Sequence, residues 1–271
     1  MLRSMFAGVS GLRSHQTMMD TVGNNISNIN THGYKSSRTT FQDALYQTIR
    51  GATGAEDGQG GVNPTQVGLG ARVASIDQNF SQGGLQTTNR ATDMAIDGEG
   101  FFIVSDETNP APGQMMFTRN GSFSFDEQGR LVTGNGQFVI GEGNAVIEAD
   151  NISELSDISV GNDGLITGRM TDGTEQDIGT LALATFNNAN GLTRVGNSMF
   201  AESVNSGEPN ISGPGGDNGS GVTQGGVLEM SNVDLAEEFT NLIMAQRGFQ
   251  ANSRTITTSD EMLQELVNLK R

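Results

Sequence analysis

The chain has 271 residues, of which 34% are hydrophobic, with 38 Gly, 5 Pro, no Trp, no Cys and a formal charge of −16. This length can bury a core, the missing Cys excludes disulfides and thiolate metal sites, and the acidity argues against nucleic acid as a partner. No apolar run approaches the roughly 20 residues that span a bilayer, so no membrane insertion is expected.

The charge divides unevenly. Residues 1–50 hold five basic and two acidic groups, and residues 226–271 hold four basic and seven acidic ones. The middle, 51–225, carries 22 acidic against 6 basic groups and so holds the whole imbalance. It reads as a solvated acidic surface between two ends of opposite sign that can meet.

The first dozen residues, MLRSMFAGVSGL, have polar and Gly interruptions rather than a continuous apolar stretch, so no cleavable secretory signal is expected. Leu2, Met5, Val9 and Leu12, then Met19, Val22, Ile26 and Ile29, recur at intervals of three and four, which predicts a helix with one apolar seam. Gly33 is placed to end that helix as its C′ residue. Asn24, Asn25, Asn28 and Asn30 interleave with the seam although asparagine is a poor helix former. Two explanations stand: these residues face solvent at a frayed end, or they trade hydrogen bonds where several helices crowd together.

After the loop-like stretch RGATGAEDGQGGVNPTQVGLG (50–70), the middle reads as β-structure. Short β-prone runs alternate with turn dipeptides: Asp97-Gly98, Asn120-Gly121, Asn135-Gly136, Asp163-Gly164 and Asp172-Gly173. These residues tolerate positive φ and predict tight hairpins. Ser122-Phe123-Ser124-Phe125 alternates as a half-buried strand should. A second loop-like stretch, NSGEPNISGPGGDNGSG (205–221), closes this region.

The last segment opens with Asp234 three residues before Glu237, an approximate capping box, and closes on Lys270-Arg271, as the helix dipole prefers. Leu235, Phe239, Leu242, Phe249, Ile256, Leu263 and Val267 keep a 4-3 register, joined by Ile243, with polar gaps at Gln246, Ser253 and Asp260. Gly8, Gly11, Gly23 and Gly248 each cost about 1 kcal/mol relative to Ala in a helix interior. The termini are therefore expected to be largely unfolded in the free monomer and to order against copies of the same chain.

The expected fold class is α+β: paired N- and C-terminal helices form a coiled-coil-like stalk around an inserted β-rich domain. The expected divisions are 1–49 for the N-terminal helix and turn, 50–75 for a Gly-rich linker, 76–222 for the β-rich outer domain and 223–271 for a C-terminal helix that pairs with 1–32.

Catalytic signals are sparse. His15 and His32 have no acidic or His neighbour at ligand spacing and read as solvent or helix-end residues. GNDGLITGRMTDGTEQD departs from the calcium-loop pattern, and GLGARV (68–73) lacks the third glycine of a dinucleotide fingerprint. No nucleophile elbow or phosphate-binding loop occurs, so no enzyme, metal or cofactor is expected.

Three blocks carry a resemblance: NNISNINTHGYKSSRTTF (24–41), GGLQTTNRATDMAIDGEGFFIV (83–104) and GVLEMSNVDLAEEFTNLIMAQRGFQANSRTITTSDEMLQELVNL (226–269). Together they resemble the bacterial flagellar rod and hook axial proteins over most of the chain. Within that family the layout is most similar to a hook subunit in a short form without a large outer domain, and the distal rod subunit is the near neighbour. The resemblance implies a homo-oligomeric helical tube with both terminal helices in its inner layer and the β domain outside. It implies torque transmission from motor to filament, with rod, hook cap and hook–filament junction proteins as neighbours. It also implies an extracellular flagellar location, reached through the flagellar type III export apparatus without a cleaved signal. Phe41 and Leu45 resemble an export-gate motif and equally fit a buried packing pair. For a hook, the acidic β domain and segment 50–70 would supply sliding polar contacts. The competing reading is a secreted or periplasmic β-domain binding module, for a glycan for example, whose helices merely dimerise.

Overall fold

The computed structural model of the chain describes residues 2–54, 60–111, 113–149, 155–216 and 219–269. The chain divides into two compact units. The first comprises 1–27, 37–78 and 234–271, and the second 28–36 and 79–233.

The first unit contains two helices, α1 (Leu2–Ser27) and α2 (Leu235–Asn268), and a long β ribbon. The ribbon pairs β1 (Ser37–Asp43) with β4 (Ala71–Gln78), then β2 (Tyr46–Arg50) with β3 (Thr65–Gly68), and runs on to a Thr53–Val62 bridge. Of the stretch expected to be a linker from 50 to 75, Arg50, 65–68 and 71–75 lie in strands of this ribbon, where Thr65, Val67 and Val73 suit a pleated surface. The ribbon leans on α1: the Ala71 amide donates to Ser10 Oγ at 3.3 Å, and Thr39 Oγ1 donates to Thr21 Oγ1 at 2.9 Å.

α2 starts as its sequence predicts. Asp234 accepts from the amides of Ala236 and Glu237, and Glu237 and Glu238 occupy the first turn. Lys270 and Arg271, expected to close it, lie outside the described residues. α1 ends at Ser27, six residues before Gly33, so Asn28 and Ile29 leave the helix and enter a corner belonging to the second unit. Gly33 still has φ +66°, but its amide donates to the Glu229 carbonyl at 2.8 Å instead of capping a helix. A tertiary partner has replaced the local cap.

The second unit is all β apart from short helical turns. Its main sheet is centred on Phe101–Ser105, which pairs with Met116–Thr118, Phe138–Val139 and Leu183–Thr185. A three-stranded meander joins Leu155–Val160, Leu165–Met170 and Glu175–Thr180. Two clusters of buried apolar side chains fill this unit, one around Phe102, Phe123 and Leu183, the other around Phe101, Phe117 and Phe200. Asn135-Gly136, Asp163-Gly164 and Asp172-Gly173 turn between paired strands, as predicted. Asp97-Gly98 and Asn120-Gly121 do not, because their flanking strands pair elsewhere. Strand Val227–Glu229 and all but the first residue of strand Val222–Gly225, assigned from sequence to the C-terminal helical segment, belong to this unit. No described helix is long and apolar enough to cross a membrane.

Candidate functional site

The two helices of the first unit pack antiparallel, with small residues at the points of closest approach. Ser4 faces Ser259, with their hydroxyls 3.4 Å apart, and Gly8 faces Ile256. A Cβ at Gly11 would lie 2.7 Å from the Asn252 amide, and one at Gly248 would lie 2.5 Å from the His15 ring. The glycines that weaken each helix alone are thus the points of close approach. His15 is correspondingly packed between Gly248 and Phe41 rather than solvated.

This contact changes the reading of the apolar seams. On α2, Leu242, Phe249, Ile256 and Leu263 are half-buried, in agreement with the predicted register. The second column sits one residue earlier than expected, at Glu238, Ala245, Asn252 and Ser259. The apparent polar gaps at Gln246, Ser253 and Asp260 arise from that offset. Leu235, Phe239, Ile243 and Val267 are exposed. On α1, Val22 is buried, Met5, Leu12, Met19 and Ile26 are half-buried, and Val9 and Phe6 are exposed. The side chain of Leu2 lies outside the described residues.

Exposed large apolar side chains concentrate in this unit. They recur along both helices and along the ribbon, where Phe41 is exposed at 40% and Leu45 at 81%. The reading of Phe41 and Leu45 as a buried packing pair is therefore incorrect. In the second unit only Leu85, Val195, Val204 and Val222 belong to this class among the described residues. Both buried apolar clusters lie in the second unit, so the first has little core of its own.

The asparagines separate by role. Asn24 is exposed, whereas Asn25 is fully buried. Its Oδ1 accepts from the Ser37 amide at 3.0 Å, and its Nδ2 donates to the Ser37 carbonyl and to Glu238 Oε1, each at 2.8 Å. Asn25 thus clamps α1, β1 and α2 of its own chain, and packing between copies is the wrong explanation for it. Burial pushes the Glu238 carboxyl above its ordinary 4.5, although the Asn25 hydrogen bond opposes the shift, and its Oε2 is buried with no partner. Below pH 4.5 the carboxyl is protonated whether the chain is folded or unfolded. As pH rises from there the unfolded chain ionises first, so the stability that the proton confers is lost as pH passes through the raised value. Glu238→Gln keeps the acceptor for Asn25 and removes the charge. It is expected to raise the helical circular-dichroism signal relative to the unmodified chain near pH 7 and to leave it unchanged below pH 4.5.

A second polar cluster holds the corner of the second unit. Lys35 Nζ donates to Glu229 Oε1 at 2.6 Å and to the Ser81 carbonyl at 2.8 Å. Arg119 Nη1 reaches Glu229 Oε2 at 3.4 Å, Nη2 donates to the Gly98 carbonyl at 2.8 Å, and the guanidinium lies over the Phe101 ring. The Gly83 amide also donates to Glu229 Oε1, and Arg194 donates to the Lys35 carbonyl. Lys35, Arg119 and Glu229 are buried. Desolvation pulls the Lys35 ammonium below its usual range, with Glu229 opposing it and Arg119 adding to it. Sequence reading missed this cluster because its members lie 84 and 110 residues apart, and only the fold brings them together.

No grouping of acidic and His side chains able to hold a metal occurs among the described residues. A cleft of about 210 Å³ in the second unit is lined by Thr118, Asn120, Ser122, Thr133, Asn135, Asn197 and Met199, without a charged group for acid–base work.

Three family descriptions match the chain. Residues 5–35 match "Flagella basal body rod protein", 95–168 match "Flagellar hook protein FlgE/F/G D1 domain", and 224–269 match "Flagellar basal body rod FlgEFG protein C-terminal". The flagellar basal-body rod protein FlgG of Bacillus subtilis is 45% identical over 271 residues, covering all of both chains. The FlgG of Buchnera aphidicola subsp. Baizongia pistaciae is 37% identical and covers 98% of this chain and 99% of its own. The flagellar hook protein FlgE of Borreliella burgdorferi is 31% identical over 442 aligned positions, again covering all of both chains. With end-to-end matches above 30% identity, the chain belongs to the flagellar rod and hook axial protein family, whose members are structural proteins and not enzymes.

Proposed function

We propose that the chain is a subunit of the distal rod of the flagellar basal body, polymerising into a hollow tube that carries motor torque outward. The hook assignment drawn from sequence is the less well supported of the two. The rod relatives align over 269 to 273 positions, the length of this chain, whereas the hook relatives need 442 and 469 positions. Hook cap and hook–filament junction proteins belonged to the hook reading and leave with it. As a rod subunit, the chain would meet other axial proteins at the two ends of its segment.

One observation carries the assembly reading. The first unit joins its helices through small residues and leaves its large apolar side chains outside, among them Phe6, Phe239, Ile243 and Leu45. Exposed apolar surface of this extent marks an interaction face. A two-stranded ribbon such as β2–β3, exposed on both sides, is at best marginally stable alone. Neighbouring copies would cover these surfaces, with the helices joining as coiled-coil-like layers around the channel and the acidic unit facing outward, where its charge is hydrated. Segment 50–70, first read as a sliding contact, becomes a fixed contact between copies in a rigid rod. Export through the flagellar type III apparatus follows from the same reading, with the exposed Phe41 and Leu45 available for recognition at the gate.

The test is electron microscopy of flagella from a strain that lacks the gene. Basal structures truncated below the distal rod are expected. Complete rods that lack only the hook would instead identify a hook subunit. A soluble dimer with the same helix content at all concentrations would reject both and favour the binding-module reading.

A further inference from the structure

The sequence places Asn before Gly at 120–121, 135–136, 190–191 and 218–219, all in the second unit. Asn218 lies outside the described residues, which leaves three pairs with different surroundings. In such a pair the glycine has no Cβ to shield its amide nitrogen from the neighbouring carboxamide carbon. Attack on that carbon requires both residues to rotate away from their native backbone angles. The surroundings therefore decide which pair can react.

Two of the three are held from outside the pair. Gly121 is buried, a Cβ there would fall on the Met94 carbonyl, and its own carbonyl accepts from the Met94 amide at 3.0 Å. Asn120 is fixed as well: its Oδ1 accepts from the Ser122 amide at 3.2 Å, and its amide donates to Thr118 Oγ1 at 3.0 Å. A Cβ at Gly191 would lie 2.7 Å from the Ser206 nitrogen, and the Gly191 carbonyl accepts from Ser203 Oγ. Asn135-Gly136 is open. It lies at the tip of the hairpin between Leu131–Thr133 and Phe138–Val139, both residues are exposed, and a Cβ at Gly136 would meet nothing within 4 Å. Among the described residues one hydrogen bond ties the pair, from the Gly136 amide to the Thr133 carbonyl at 2.9 Å.

We propose that Asn135 is a site of spontaneous deamidation in the folded protein, while Asn120 and Asn190 are protected. The Gly136 nitrogen loses its proton to solvent and bonds to the Asn135 carboxamide carbon. The bond from that carbon to the side-chain nitrogen breaks, ammonia leaves with a proton from water, and a cyclic imide remains. Water then opens the imide at one carbonyl to aspartate or at the other to isoaspartate, and nothing is oxidised or reduced. Either product sets a carboxylate into the cleft lined by Asn120, Thr133, Asn135 and Asn197, whose lining holds no charged group. Isoaspartate also carries the main chain through its β-carbon, which lengthens the hairpin tip by one atom. The bond from the Thr133 amide to the Gln137 carbonyl, 2.8 Å long, spans that tip and would be disturbed. The reaction is confined to the second unit and does not depend on assembly.

Trypsin separates the three pairs into the peptides 120–130, 131–169 and 170–194. The purified full-length chain is held folded in mildly alkaline buffer, and peptide masses follow the exchange of amide for acid at each pair. Fragmentation assigns the change in 131–169 to Asn135 and not to Asn144, Asn151 or Asn162. Asn120 and Asn190 must break further contacts before they can rotate, so Asn135 is expected to react about tenfold faster than either. In denaturant the three pairs are expected to react at similar rates, because the packing that separates them is gone. Equal rates in the folded chain, or a faster reaction at Asn120 or Asn190, would overturn the assignment. So would an unchanged lead of Asn135 in denaturant, which would trace its reactivity to the local sequence instead of the fold.

Discussion

Glu229→Gln is expected to destabilise the second unit by about 3–5 kcal/mol, the usual cost of breaking a buried ion pair from one side. Glu229 is the shared counter-charge of Lys35 and Arg119, and both cations are buried. Neutralising it leaves two desolvated positive groups facing each other across an amide. Lys35→Met should cost less, about 1.5–3 kcal/mol for the lost charge-assisted hydrogen bonds, because Glu229 keeps Arg119 and the Gly83 amide. The order of the two variants in denaturant unfolding, followed by hydrogen exchange in Phe101–Ser105, checks the argument. A larger effect of Lys35→Met would refute it.

The alkaline side offers a second check with a definite sign. Glu229 raises the Lys35 ammonium and burial lowers it, so removing Glu229 lets burial act with less opposition. The folded variant then sheds the Lys35 proton before the unfolded chain does near 10.5, and wherever the unfolded chain holds more protons, stability rises with pH. The defect of Glu229→Gln should therefore shrink as pH is raised from 7 toward 10.

Gly33→Ala is the second substitution with a large expected effect, more than about 3 kcal/mol. The left-handed backbone at φ +66° alone costs an L-residue about 1–2 kcal/mol. The added Cβ would also lie 2.5 Å from the backbone at Arg119 and Asn120, which cannot swing aside as a side chain can. Relief would come from moving the corner away, and that would stretch the Gly33 amide from the Glu229 carbonyl. Thermal unfolding measures the loss. Gly23→Ala is the control: its Cβ meets nothing within 4 Å in α1, so it should stabilise the helix by about 1 kcal/mol. Equal effects at Gly33 and Gly23 would mean that the corner is not under the constraint described.

These two positions anchor the chain where it enters and leaves the β unit. Glu229 lies five residues before the Asp234 cap of α2, and Gly33 six residues after the end of α1. The parts of this corner are covalently remote, and only the fold of the second unit brings them together.

What the sequence determined by itself is the nested plan: a helix at each end, β-structure between them, Asp234 as a cap and three of five turn dipeptides as hairpins. Each follows from local rules, since periodicity, capping groups and positive-φ residues act within a few positions of one another. The family resemblance was legible for the same reason, being carried by contiguous blocks at both ends.

Only the tertiary structure decided which face of each helix turns inward. The sequence pattern assigns large apolar residues to the interior, yet the closest approaches are made at Gly8, Gly11, Gly248 and Ser259, and only part of the apolar seam, such as Phe249 and Ile256, is half-buried. Small residues let two backbones approach, while Phe6, Phe239 and Ile243 would hold them apart and so remain outside, where only another molecule can cover them. Asn25 and the Lys35–Glu229–Arg119 cluster were hidden from sequence for a related reason. Burying a polar group is tolerable only when partners from distant segments satisfy it, and nothing local in the chain announces those partners.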